Sequence, residues 1–179
     1  MRVLIDACVL YPTVMREVVL GCARVGLFEA KWSERLLEEW ALAARKIGPE
    51  GETIARGEIA LVNAAFPHAI IPVRDGLEAR LWLPDAHDIH VLASAVAGSC
   101  DAILTANAKD FPRNILAEEG LERRDPDGFV TDLLVQAPDQ VARVAEDVLQ
   151  TARQMSGEDW TMRKLMKKAR LPRLGKALS

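Results

Sequence analysis

Short apolar runs punctuate the chain, and between them apolar residues recur at three- and four-residue spacing. Residues 2–5 form such a run and end in Asp6, which predicts a buried parallel strand with a carboxylate at its carboxyl end. After the break at Tyr11-Pro12, Thr13 is placed to cap a helix to about Val25, with Val14, Val18, Cys22 and Val25 on one face and Gly26 as its stop. Residues 27–32 read as a short strand or a bend. Ser33 then caps a helix over 34–46, buried along Leu36, Trp40 and Ala43, with Glu39 at the edge of that stripe and Glu38 further out. Gly48-Pro49 ends it. A third helix is predicted over 52–65, and a short apolar strand over 69–73.

The stretch 83–112 organises the rest. Asp85 and Asp88 stand at the start of an alanine-rich helix. A strand follows over 102–104, then the polar loop Thr105-Ala106-Asn107-Ala108-Lys109-Asp110. Beyond Phe111-Pro112 the pattern predicts a short helix over 114–119 and an edge strand over 121–123. A helical turn from Asp125, a long amphipathic helix over 138–155 and a basic helix over 160–170 complete the chain. Strands alternating with helices predict a three-layer α/β/α fold with a mainly parallel central sheet. In such sheets ligands bind beyond the carboxyl ends of the strands, where Asp6 and the 105–110 loop fall.

Composition narrows the classes. The chain has 179 residues, half of them hydrophobic and 27% charged, as in an ordinary globular protein. No run approaches the length of a membrane helix, and the charged N-terminus does not read as a signal peptide. Cys8, Cys22 and Cys100 form no Cys-x-x-Cys pair, so reduced thiols acting as small core residues in a cytoplasmic protein are expected. The net charge of −3 hides an asymmetry. Residues 163–179 carry seven basic side chains and no acid, leaving the other 162 residues with 16 basic and 26 acidic groups, a net of −10.

The candidate chemistry is that of oxygen ligands: Asp6, Glu39, Asp85, Asp88, Asp101, Asn107 and Asp110. Several acids at one sheet edge suit a hard divalent cation, and with one or two ions such a cluster can cleave phosphodiesters. Each acid also has a local explanation. Asp85 and Asp88 approximate a capping box, and Asp110 can open a turn. Asp101 begins a strand at its amino end and reads as structural. Asp6 is hardest to explain locally, because a carboxylate closing a buried strand needs a partner. His87-x-x-His90 lacks further Cys or His and reads as a structural or hydrogen-bonding pair rather than a zinc site, with His90 also placed to contact phosphate or a partner. There is no phosphate loop, no nucleophile elbow and no Cys–His pair.

Four segments in order carry a resemblance to the PIN-domain nucleases, which include VapC-type toxins. They are residues 3–12 with Asp6, 32–40 with Glu39, 83–95 with Asp88, and 102–112 with the Thr-x-Asn-x-x-Asp-Phe-Pro motif of one subgroup. Three positions depart from the broader pattern: Asn107 stands where many members carry an aspartate, Cys8 where a small polar residue is common, and His87 where an acid is frequent. The resemblance implies a PIN-like nuclease domain over 1–135 and a helical extension with a basic tail over 136–179. It implies Mg2+ or Mn2+ held by Asp6, Glu39, Asp88 and Asp110 with help from Asn107. Thr105 would hydrogen-bond Asp6 or a phosphate. The implied activity is hydrolysis of RNA to 5′-phosphate and 3′-hydroxyl ends, by the toxin of a toxin–antitoxin pair, as a homodimer blocked by a small antitoxin. The basic tail would neutralise the RNA backbone, bind an antitoxin or a second copy, or simply form a solvated face. The alternatives are a catalytically weak PIN-like module that binds RNA or protein, and a metal-dependent DNase or phosphatase on the same scaffold.

Overall fold

Val3, Leu4 and Ile5 are fully buried, as the continuous apolar run requires. In the computed structural model, which describes residues 1–179, they belong to strand β1 (Arg2–Ile5). β1 pairs in parallel with β2 (Glu29–Lys31) on one side and β3 (Ala102–Leu104) on the other; β4 (Glu122–Arg124) adds to β3. The fold is α/β, with an all-parallel four-stranded sheet in the order β2-β1-β3-β4. The chain leaves β1 toward one edge and later returns to β1's other side. The β1/β3 junction is therefore the topological switch point, where open α/β sheets place their ligands.

The residues gather into two compact units, one of 1–11 with 28–124 and one of 12–27 with 125–179. The first holds the sheet. Its helices include α1 (Ala7–Leu10), α3 (Glu34–Ala43), α4 (Gly51–Ala65), α5 (Leu77–Arg80), α6 (Ile89–Ala97) and α7 (Arg113–Glu118). α6 lies against β1 and β3, and α3 packs on α1 and α4. Trp32 is fully buried, its ring edge-on to Phe66 at 5.7 Å, and its indole N–H donates to Asn63 Oδ1 at 3.1 Å. At the amino edge of the sheet Asp101 accepts from the Arg2 backbone N–H at 2.7 Å, the structural role its position predicts.

The second unit comprises α2 (Thr13–Arg24), α8 (Pro126–Gln136), α9 (Pro138–Ser156), α10 (Met162–Lys168) and α11 (Pro172–Ala177). α2 and α9 approach closely at Gly21, where an added Cβ would lie 2.5 Å from a Val144 methyl. The buried Asp127 carboxylate accepts from the Arg173 and Leu174 backbone N–H groups at 2.9 and 3.0 Å. It thereby satisfies donors at the start of α11.

Several local expectations change. The strand over 69–73 shrinks to one parallel bridge, Trp32 to Ile70. Ile71 donates to Trp32 at 2.8 Å, and the partner segment then leaves the sheet, because Ser33 caps α3. The helix over 34–46 ends at Ala43 and tightens into a 3-10 turn over Ala44–Ile47. Thr13 is inside α2 rather than its cap; Pro12, already extended, occupies the cap position without a side-chain bond. The basic segment is two helices: Thr161 caps α10, and Pro172 opens α11. α1 is not legible as a helix in the sequence, because its single turn carries no period.

Candidate active site

Asp6 ends β1 in an extended conformation and is at once the N-cap of α1. Its Oδ1 accepts from the Ala7 N–H at 2.8 Å. Oδ2 accepts from the Thr105 hydroxyl at 2.7 Å and from the Cys8 thiol at 3.1 Å. Register makes this possible: Ile5 pairs with Leu104, so the residues after each strand are neighbours at the carboxyl edge. Burial pushes the Asp6 carboxyl above its usual range, against the lowering effect of its Thr105, Cys8 and Ala7 donors, and the Glu39 charge adds to the rise.

Thr105 is buried and bonded in both directions, since its hydroxyl also accepts from the Asn107 N–H at 3.1 Å. Asn107 thus enters the geometry through its backbone. Cys8 Sγ accepts from the Ala106 N–H at 3.4 Å. The expectation that all three thiols are core residues is corrected at this point. Cys22 and Cys100 are buried, but Cys8 is half-buried and contacts Asp6. Burial and the Asp6 charge hold the Cys8 thiol up at about 12, so it remains a neutral donor.

Asp85 accepts from the His87 backbone N–H at 2.9 Å and caps a 3-10 turn, Ala86–Asp88. The Asp88 carboxylate makes no capping bond, although its backbone is the N-cap of α6. The capping box therefore does not account for Asp88. Its carboxyl is pushed up to about 6, first by desolvation and then by the charges of Asp6, Asp85, Asp110 and Glu39. Desolvation is the largest of these causes, and like charge follows it.

Glu38 and Glu39 divide their roles. Glu38 forms a bidentate pair with Arg56 at 2.9 and 2.8 Å on the outer side of α3. Glu39, 42% exposed, has an oxygen 2.6 Å from Nε2 of His90, which is 4% exposed on the first turn of α6. The contact is close but not aligned as a hydrogen bond, so both His90 ring nitrogens are buried without a hydrogen-bond partner. The two histidines do not share a site, since His87 is almost fully exposed and turns to Asp85. A cavity of about 670 Å3 is walled by His90, Ile71, Ala93 and the 70–76 segment, and none of the four acids lines it.

The loop bearing Asn107 and Asp110 is pinned at two points. Phe111 is fully buried. The Arg123 guanidinium, reaching from β4, donates to the carbonyls of Ala108 at 2.7 Å and Phe111 at 3.1 Å. Sequence reasoning misses Arg123, the Cys8–Asp6 bond and the His90–Glu39 pair. An arginine on an edge strand carries no local signal that it will turn onto a loop.

The structure brings Asp6 and Thr105 into direct contact. It sets Glu39, Asp88 and Asp110 within electrostatic reach of Asp6, of Asp88 or of both. It does not draw any three His, Cys, Asp or Glu side chains close enough to enclose an ion by themselves. The donors are carboxylates with a hydroxyl and an amide, all hard oxygen ligands, while the one nearby thiol is neutral. Such a set suits a hydrated hard cation, which keeps several waters and takes few carboxylates directly.

A parallel α/β sheet with a carboxylate at its switch point suits metal-dependent phosphate chemistry of several kinds. A family model described as the PIN domain matches residues 2–109, and the chain belongs to that family. PIN domains are in general metal-dependent nucleases, which fits the oxygen-only donor set. The match stops just before Asp110. No curated protein and no solved structure matches the chain. No helix is long and apolar enough to cross a membrane.

Proposed function

We propose that the protein is a Mg2+- or Mn2+-dependent endoribonuclease of the VapC toxin type. The observation that carries the reading is the Asp6 carboxylate, held by Thr105 at the carboxyl edge of the β1/β3 junction in a chain of the PIN family; the Asp88 carboxyl, pushed up to about 6 by burial and by the charges of Asp6, Asp85, Asp110 and Glu39, supports it. Like charges gathered at a functional edge repel one another, and a bound cation would offset that repulsion. Asp6, Glu39, Asp88 and Asp110 would hold the metal, directly or through water, with Asn107 assisting. When bound, the ion supplies an activated water and offsets charge on the leaving oxygen. Thr105 fixes the Asp6 carboxylate, and Arg123 fixes the loop that presents Asp110. A homodimer and a small antitoxin that blocks the acids belong to the same reading.

A panel of RNA, single-stranded DNA and small phosphate esters, each with Mn2+ and with EDTA, tests the substrate class. Metal-dependent cleavage of RNA alone is the expected result. Cleavage of DNA or of the esters would move the protein to the DNase or phosphatase alternative. The neutral Asn107 favours a second reading, a binding module, which stoichiometric RNA binding without turnover would establish.

The basic tail adds an electrostatic attraction in this proposal. Its seven cationic residues are all exposed, while Leu165, Met166, Leu171 and Leu174 of the same segment are buried. Deleting it would strip apolar core from the second unit, so charge removal is the cleaner test. With Lys164, Lys167 and Lys176 changed to Gln, RNA affinity should fall. The slope of log K against log salt should flatten by about 0.7 for each phosphate that is no longer neutralised. An unchanged slope in filter binding would remove the tail from RNA recognition.

A further inference from the structure

We infer that His90 is a positioning residue that sets the orientation of the Glu39 carboxylate. The inference rests on the reading of Glu39 as a metal-site acid. Glu39 projects from α3 with its side chain 42% exposed, and a long side chain at such a position ordinarily samples many rotamers. Here one oxygen stands 2.6 Å from His90 Nε2. The imidazole cannot move to follow it, because His90 is 4% exposed and sits in the first turn of α6, flanked by Val91, Leu92 and Ala93, all buried. The mobile partner is therefore held by the fixed one.

The cost of this arrangement points the same way. An apolar side chain would fill the site without burying two ring nitrogens, yet His90 buries both, and neither has an aligned hydrogen-bond partner. What offsets that cost is the close polar contact of Nε2 with the Glu39 carboxylate. The register of α6 adds a second link. Asp88 forms the N-cap of the helix and His90 follows in its first turn, so one rigid element carries an acid of the site and the group that orients another. Carboxylates that hold metals are commonly oriented in this way by an outer group. Removing such a group costs about 10- to 100-fold in metal affinity.

Two measurements test the inference. In calorimetry with Mn2+, His90→Phe should bind about 10-fold more weakly than wild type, and His90→Gln, which retains a donor, should recover most of that affinity. In a Glu39→Gln background His90→Phe should add little, because the group it positions no longer carries a charge. Equal effects in both backgrounds would mark a general packing role and overturn the inference, as would undiminished Mn2+ binding by His90→Phe. The second measurement needs no metal. In EDTA, the His90 ring 15N signals should shift on Glu39→Gln; unmoved signals would overturn the pairing. A ring that responds in a wild-type protein taking up no Mn2+ would leave the positioning of Glu39 intact and defeat the metal reading instead.

Discussion

Asp6→Asn is expected to abolish metal-dependent RNA cleavage while leaving a folded protein. The substitution keeps the shape of the side chain. Its carbonyl oxygen still accepts from the Ala7 N–H, and the Thr105 hydroxyl can rotate to accept from the new amide, since a hydroxyl both donates and accepts. What disappears is the charge of the one candidate metal-site acid that is hydrogen-bonded across the β1/β3 junction. Removing one member of an interdependent catalytic set commonly costs on the order of 10³- to 10⁴-fold in rate. The effect should appear in kcat with Mn2+ saturating, and Mn2+ binding by calorimetry should weaken in parallel. In EDTA the variant should melt no lower than wild type, because the folded state disfavours the ionised carboxylate. A variant that cuts RNA at the wild-type rate would remove Asp6 from the chemistry.

Asp88→Asn should have opposite effects on stability and on activity. The Asp88 carboxyl titrates near 6 in the folded protein against an ordinary 3.8. The folded state therefore holds that proton more tightly than the unfolded chain does. The resulting stability is fully present below pH 3.8 and is lost as pH rises through about 6. At pH 7.5 the ionised carboxylate thus burdens the metal-free protein. The unscreened shift corresponds to about 3 kcal/mol, but the group is only partly buried, and solvent screening reduces this to about 1 kcal/mol. Asp88→Asn should accordingly raise the melting temperature in EDTA at pH 7.5 by about 3 °C and leave it nearly unchanged at pH 4. With Mn2+ the order should reverse, since the wild type gains binding energy that the variant lacks, and RNA cleavage should fall with it. Calorimetric scans at the two pH values with and without Mn2+ read all four quantities. Destabilisation in EDTA at pH 7.5 would show that Asp88 serves the fold instead.

The parts of the fold legible in sequence are those whose signals are local. The apolar run of residues 2–5 announces a strand because its length and composition suit burial on both faces. The Gly48-Pro49 break, the Ser33 cap and the period of residues 138–155 mark helices within a turn or two of their ends. Acids directly after strands are legible for the same reason. In a parallel sheet the carboxyl end of a strand is where a side chain leaves the core. Errors fall where a local signal is overridden. Residues 69–73 have the composition of a strand, but the segment they pair with turns into α3 at Ser33, directly after Trp32. Cys8 looks like a small core residue, but the turn of α1 points it at Asp6.

The sequence by itself determined the fold class and supplied the candidate acids, because hydrophobic period and residue chemistry are properties of short segments. Only the tertiary structure decided which of those residues meet. Asp6 and Thr105, 99 residues apart, touch because β1 and β3 pair with Ile5 opposite Leu104; a one-residue slip would turn alternate side chains to the other face. Glu39 is distinguished from Glu38 because His90 on α6 meets the first and Arg56 on α4 the second. α2 packs on α9, from the far end of the chain, through the space left by Gly21. Meetings of this kind depend on strand register and on helix packing, which no local window of the sequence contains.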